Sequence, residues 1–490
     1  MPPQTPPTSV LYQNEEQTIT LIDIPTSIAV AQELDDEDIT LLSSAPQEVP
    51  YTSNEPKSAK AKERVQSNTV EAELHDMYVA LIREALAEIR AHHTSPWCLP
   101  RILAPERARL PKKRKASTLD SGKETGAGHD DRTEQDFSQD YEAHDGTATT
   151  LPFDLFENLV YYGDEGTSTT QPAHSSYQFC SAPWDAPIPR NPPFAPWTSL
   201  YHNPLSVSAR LLIMPPHRSS APDTPHPPPY TFRLPPHSTL LLSDCNTPFS
   251  SPSQTLSTAP QFDLILLDPP WPNRSARRRS AYALSPSLAD LRHLLLSTRI
   301  EQTLAPAGLV GVWITNRAVV RELVLGPAGL FEHWGLVLVE EWVWVKVTAC
   351  GEPVTDVDSV WRKPYEILLL GRRALQPPHP HPHPHPHPHI LPAITARSPD
   401  TERTPGTPTS AALKAQVTRR VVAAVPHLHS LKPCVRELVA PLMPHPTDYE
   451  ALEVFARYLV AGWWSWGNEA LKLNWEGAWG RGAVRGRSGG

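Results

Sequence analysis

The apolar positions along this chain follow two periods. Between Val70 and His92, Leu74, Met77, Leu81, Leu86 and Ile89 recur near helical spacing among Glu, Arg and Ala, and His92, His93 and Pro96 close the pattern. The spacing predicts a helix within 65–95. From about 236 the pattern changes to short, nearly continuous apolar runs over 238–244, 262–267, 308–316, 334–346, 365–371 and 452–457, each reading as a buried strand. Helical stretches are predicted between them over 286–304 and 318–325. Strands that alternate with helices argue for an α/β domain built on a parallel sheet with right-handed crossovers.

Outside these runs the pattern dissolves. Residues 1–64 are Pro/Ser/Thr-rich and acidic, with brief apolar patches such as Ile19-Thr20-Leu21-Ile22, and are expected to be disordered. Residues 96–150 read as a linker, 151–235 as an N-terminal extension with Pro-rich loops and one short strand at 209–214, and 477–490 as a disordered tail. The folded domain is expected over 236–476. An insertion over 374–415 holds alternating His and Pro from Pro378 to His389, an extended polyproline-II-like repeat with no fixed metal geometry.

Composition supports this division, since 57 prolines and 39% apolar residues in 490 leave much of the chain outside any core. The net charge of −9 hides segregation between the acidic run at Glu33 to Asp38 and basic clusters elsewhere. Lys112-Lys113-Arg114-Lys115 after Pro111 reads as a nuclear import signal or a nucleic-acid contact. The five cysteines form no C-x-x-C pair, so neither a disulfide framework nor a zinc site is implied. The absence of a signal-peptide pattern and of a long apolar run leads us to expect a soluble intracellular protein without membrane association.

The candidate chemistry starts at Asp268-Pro269-Pro270-Trp271, an acid on a rigid turn at the end of a buried strand. Asp268 and the Pro269 carbonyl can accept hydrogens from an exocyclic amino group on a flat ring, and Trp271 can offer a stacking face. Asn273, Arg274, Arg277, Arg278, Arg279 and Tyr282 follow at once, a loop suited to phosphates and a stacked base. Near the other end, the acid, base and amide groups after 452–457 suit a zwitterionic, ribose-bearing cofactor.

Asp268-Pro269-Pro270-Trp271, Lys363-Pro364-Tyr365-Glu366, His429-Ser430-x-Lys432-Pro433, Glu453-x-Phe455-Ala456-Arg457 and Trp464-Ser465-Trp466-Gly467-Asn468-Glu469, in this order, resemble the MT-A-seventy family of adenine-N6 methyltransferases. Within it, Trp313-Ile314-Thr315-Asn316-Arg317 and Glu341-Trp342-Val343-Trp344-Val345-Lys346 are most similar to the methyltransferase-like-four branch. The resemblance covers roughly 235–475. It implies a Rossmann-like methyltransferase domain with permuted motif order and S-adenosylmethionine as cofactor. By the same resemblance, Asp268, Pro269, Pro270 and Trp271 form the catalytic motif, with no metal. Asp244 lines the cofactor adenine, Lys432 meets the methionine carboxylate, and Glu453, Arg457, Asn468 and Glu469 hold the ribose and its surroundings. Tyr458 departs from the branch, which usually has asparagine there. The branch points to RNA, small nuclear RNA in particular, with DNA adenine as the alternative. A non-catalytic nucleic-acid-binding partner subunit is a further alternative, and the localisation expected is nuclear, with cytoplasm also allowed.

Overall fold

The computed structural model describes residues 8–34, 39–52, 70–104, 155–164, 177–216, 228–245, 259–272, 287–359, 362–373, 417–427 and 431–481, with positions 58, 59 and 63. The basic cluster 112–115, the arginine loop from 273 to 282, the His-Pro repeat, and His429 with Ser430 lie outside the described residues. The strands are β1 (Val10–Gln13), β2 (Ile19–Ile22), β3 (Ile39–Leu41), β4 (Gln178–Pro183), β5 (Ala195–Pro196), β6 (Leu200–His202), β7 (Ala209–Met214), β8 (Tyr230–Leu234) and β9 (Thr239–Leu241). They continue as β10 (Phe262–Leu267), β11 (Leu304–Ile314), β12 (Leu336–Lys346), β13 (Tyr365–Arg373), β14 (Thr418–Ala424), β15 (Ala451–Val454), β16 (Trp464–Trp466) and β17 (Trp479–Arg481).

Eleven strands form one sheet in the order β1-β2-β14-β12-β13-β11-β10-β15-β16-β9-β6. β10 runs parallel to β11 and β15, β15 to β16, and β16 to β9, while β12 runs parallel to β14 and β14 to β2. β13 is antiparallel to both β11 and β12, so its two neighbours run the same way. Eight strands therefore end on one edge, and β10 lies near the middle of that edge. The expected α/β domain on a parallel sheet is what the structure shows, with β1, β6 and β13 running antiparallel to their neighbours. The reason for β13 is local. A parallel return needs a crossover, and among the described residues between Lys346 and Tyr365 no helix stands to make one.

Alternation along β10 builds two apolar layers. Leu264 and Leu266 face one, with the small sheet β5-β4-β7-β8, the helix Ile24–Ala31 and the segment around Val435–Val439. Ile265 and Leu267 face the other, joined by Phe262 across an irregularity in the strand between Phe262 and Leu264, with the helices Ala72–His92, Leu288–Ser297 and Ala318–Leu325. Two helix starts follow capping chemistry: Asp23 and Ser287 each accept the backbone N–H three residues on.

Two regions expected to be disordered contain ordered elements among their described residues. Within 1–64, β2 adds to the edge of β14 and the following helix buries Ile24, Ile28 and Ala31, because the patch Ile19-Thr20-Leu21-Ile22 finds a sheet edge to cover. Within 477–490, β17 pairs with β3 antiparallel. One buried ionic cluster fastens the outer helices to the sheet. The Glu341 carboxylate on β12, its side chain 1% exposed, accepts from Arg321, Arg419 and the Tyr78 hydroxyl, joining β14, the helix Ala318–Leu325 and the helix Ala72–His92. Among the described residues no helix is long and apolar enough to cross a membrane.

Candidate active site

The carboxyl edge of the sheet collects the polar groups. Asp268 follows directly on β10, and the two prolines after it restrict the backbone that carries it. The Trp271 N–H closes a tight turn onto the Pro269 carbonyl at 2.7 Å, which leaves that oxygen a second lone pair. Trp271 itself is 8% exposed and packs into the helix-covered layer, its indole N–H donating to the Trp313 carbonyl at 2.7 Å. Little of its face is open to a base. The rings nearest the charged groups are instead Trp313 and Trp344, whose centroids lie 5.7 and 5.8 Å from the Lys432 ammonium.

Lys432 reaches the edge from the segment after β14. It donates to both Asp268 oxygens at 3.3 Å and to Glu366 Oε2 at 3.1 Å. Its side chain is only 11% exposed. Burial alone would lower this ammonium's pKa, but Asp268 and Glu366 raise it, so it stays charged. Glu366, at the start of antiparallel β13, also accepts from Lys346 at the end of β12, at 2.6 Å. Burial would raise the Glu366 carboxyl, yet the two lysines hold it well below the usual range. Lys432, read from the sequence as meeting a cofactor carboxylate, is thus already bound between two carboxylates of the chain.

A second polar wall stands beside Asp268. On β15, Glu453 aligns with Leu266 of β10 on one side and Ser465 of β16 on the other. Among the described residues the Ser465 hydroxyl is buried without a hydrogen-bond partner. Burial and Asp268 raise the Glu453 carboxyl to about 8, against the opposing effect of Arg457. The chain turns sharply after β15 through Phe455 in the left-handed region, φ 62°, a conformation held by its surroundings because a side chain there is strained. The Ala456 N–H donates to the Trp466 carbonyl at 3.0 Å, and Gly467 lies where a Cβ would strike the Ala456 backbone. Tyr458 is 5% exposed and lies in the same buried layer as Cys434.

Of the other expected cofactor residues, Asp244 follows β9 and Asn468 is exposed after β16, both at the same edge. Glu469 is paired with Lys472 at 3.0 Å. Asn273, Arg274, Arg277, Arg278, Arg279 and Tyr282 lie outside the described residues. Sequence reasoning missed Glu366, Lys346, Ser465, Trp313 and Trp344 as members of the site. The period-2 placement of Trp342, Trp344 and Lys346 on β12 is the signal that carries part of it.

Comparison with known proteins bears on this edge. Residues 262–379 match the family model MT-A70. The chain carries an MT-A70 domain. The matched stretch contains Asp268, Trp313, Trp344, Lys346 and Glu366, and ends before Lys432, Glu453 and Arg457. The chain is 43% identical over 222 residues to "N6-methyladenosine RNA methyltransferase MTA1" of Cryphonectria parasitica, covering 45% of this chain and 55% of that protein. It is 35% identical over 245 residues to "N(6)-adenine-specific methyltransferase METTL4" of Homo sapiens, covering 49% and 43%. It is 32% identical over 145 residues to "DNA N6-methyl methyltransferase" of Caenorhabditis elegans, covering 29% and 36%. The chain spans about half the length of the curated relatives it matches most extensively.

Proposed function

We propose that this chain is an S-adenosylmethionine-dependent methyltransferase acting on the N6 amino group of adenine in nucleic acid, with RNA the first substrate class and DNA the second. The observation that carries the reading is the Asp268 carboxylate, 25% exposed at the centre of the carboxyl edge and pinned by Lys432 beside the Glu453 and Ser465 wall. Adenine N6 is a poor nucleophile because its lone pair is delocalised into the ring. Hydrogen bonds from its two hydrogens to Asp268 and to the free lone pair on Pro269 favour the pyramidal nitrogen that attacks. The proton lost as the N–C bond forms has Asp268 as its acceptor, and the partial exposure of that side chain lets it pass to water. Lys432 keeps the carboxylate oriented between turnovers.

The residues present fit the cofactor. Ser465 offers a buried hydroxyl without a partner among the described residues, and Glu453, protonated or ionised, can pair with ribose hydroxyls. S-adenosylmethionine, when bound, supplies an electrophilic methyl on a sulfonium. Asp244, Arg457, Asn468 and Glu469 complete the set we assign to holding it.

The printed names of the fungal relatives support RNA, and that of the nematode relative keeps DNA as the second reading. Resemblance to the methyltransferase-like-four branch narrows the RNA to the small nuclear type, and the basic cluster 112–115 supports a nuclear location. Methyl transfer from labelled cofactor to matched adenine-containing RNA and DNA oligonucleotides tests the reading. The expected result is product on RNA that falls at least about 100-fold in Asp268→Ala. Product on DNA alone would promote the second reading. Cofactor and nucleic-acid binding with no product on either would favour a non-catalytic partner subunit.

A further inference from the structure

Two cations and two carboxylates of the site stand in a row. Lys346 Nζ lies 2.6 Å from Glu366 Oε1, Glu366 Oε2 lies 3.1 Å from Lys432 Nζ, and Lys432 Nζ lies 3.3 Å from each Asp268 oxygen. Only the last member of this row faces a reacting group in the proposed reaction. Lys346 is at the far end, its ammonium 4.9 Å from the Trp344 centroid, with no direct contact to Asp268.

The spacing shows a competition. Lys432 has three N–H donors, two aimed at Asp268 and one at Glu366, and its contact with Glu366 is the shorter. Glu366 does not draw Lys432 further because its other oxygen is already bound by Lys346 at 2.6 Å. Without Lys346, Glu366 would hold one cation instead of two, and a largely buried carboxylate recovers lost pairing from whatever cation remains. That cation is Lys432. We infer that Lys346 is a positioning residue for methyl transfer, holding Glu366 so that Lys432 remains on Asp268. The inference rests on the adenine-methyltransferase reading above.

The bland account is that Lys346 and Glu366 are a cross-strand staple at the end of the β12–β13 hairpin, with no bearing on Asp268. The two accounts differ in what a double-mutant cycle shows. If Lys346 acts through Glu366, removing Glu366 makes Lys346 irrelevant to catalysis. A staple contributes to stability alone.

The experiment compares the full-length wild type with Lys346→Met, Lys346→Arg, Glu366→Gln and Lys346→Met/Glu366→Gln. It reads kcat and KM on an adenine-containing oligonucleotide, the Kd for S-adenosylmethionine by calorimetry, and the ¹⁵N ammonium signal of Lys432. Lys346→Met is expected to lower kcat by about ten- to a hundredfold, the scale of a small misplacement of a reacting group, with KM and cofactor Kd unchanged and the Lys432 signal shifted. Lys346→Arg should recover most of the rate, and the double variant should be no slower than Glu366→Gln. The inference is overturned if Lys346→Met leaves kcat intact, or slows Glu366→Gln as much as it slows the wild type. A wild type that binds cofactor yet methylates no adenine substrate overturns the methyltransferase reading itself, and the inference with it.

Discussion

At the residue scale, Gly467 and Glu453 make the sharpest statements. A Cβ on Gly467 would meet the Ala456 carbonyl oxygen at 2.9 Å and its nitrogen at 3.0 Å, both of them backbone atoms that cannot swing away. Gly467→Ala is therefore expected to cost about 1–3 kcal/mol in thermal or denaturant unfolding, by forcing apart the turns after β15 and β16. Glu453, raised to about 8 by burial and Asp268, carries its proton at pH 7. A cationic cofactor sharing its pocket favours the ionised form, so binding at pH 7 should release up to one proton, and the release should vanish well above pH 8. Calorimetry in buffers of different ionisation heat checks this; an identical binding enthalpy in every buffer would contradict it. The contiguous motif Asp268-Pro269-Pro270-Trp271 was legible in the sequence because strand end, turn and chemistry lie within ten residues. Lys432 was read as a cofactor contact, but its pairing with Asp268 and the roles of Lys346 and Glu366 were not legible, since the three residues come from three segments that only the sheet order brings together. Trp271 shows the limit of reading a side chain's direction from its neighbours. It was expected to offer its face to a base, and instead it buries that face and donates to Trp313.

At the scale of elements, apolar runs located most strands of the sheet, but direction depended on what lies between them. β12 and β13 read alike as buried strands, and the missing helix between Lys346 and Tyr365 is the cue to an antiparallel return. β2 was not read as a strand because three apolar residues and a threonine in a Pro/Ser/Thr-rich stretch mean little until a free edge of β14 is known. Removing residues 1–34 should expose that edge and the surface under the helix Ile24–Ala31, so the truncated chain is expected to aggregate or melt lower than the full chain. Equal solubility and melting temperature would show that the segment is dispensable. The Glu341 cluster makes a second statement at this scale. Arg419→Leu removes one of the two cations on a buried carboxylate that keeps Arg321 and Tyr78, and should destabilise by about 1–3 kcal/mol in denaturant unfolding, whereas an exposed pair would give under about 1 kcal/mol.

At the scale of the whole molecule, distant stretches are stitched together at His427. Its ring bonds the Leu42 carbonyl at 3.1 Å, Ser44 donates to its carbonyl at 2.8 Å, and Arg101 donates to the carbonyls of Val425 and Pro426. Burial, with Arg101 adding to it, lowers His427 from the ordinary 6.5 to about 3. The unfolded chain takes up this proton near pH 6.5 while the folded chain resists it, so stability falls as pH drops from 6.5 toward 3, by about 1.4 kcal/mol per unit. His427→Gln should flatten that part of the acid limb in unfolding measured between pH 6.5 and 5, and an unchanged slope would contradict the assignment. The central claim remains the chemistry at Asp268. Its most direct test is to incubate wild type and Asp268→Asn with deuterated-methyl cofactor and adenine-containing RNA, digest to nucleosides, and locate the label by mass spectrometry. The account predicts N6-methyladenosine from the wild type and at least about 100-fold less from a folded, cofactor-binding Asp268→Asn. Label at a ring nitrogen, or equal N6 product from the variant, would contradict it.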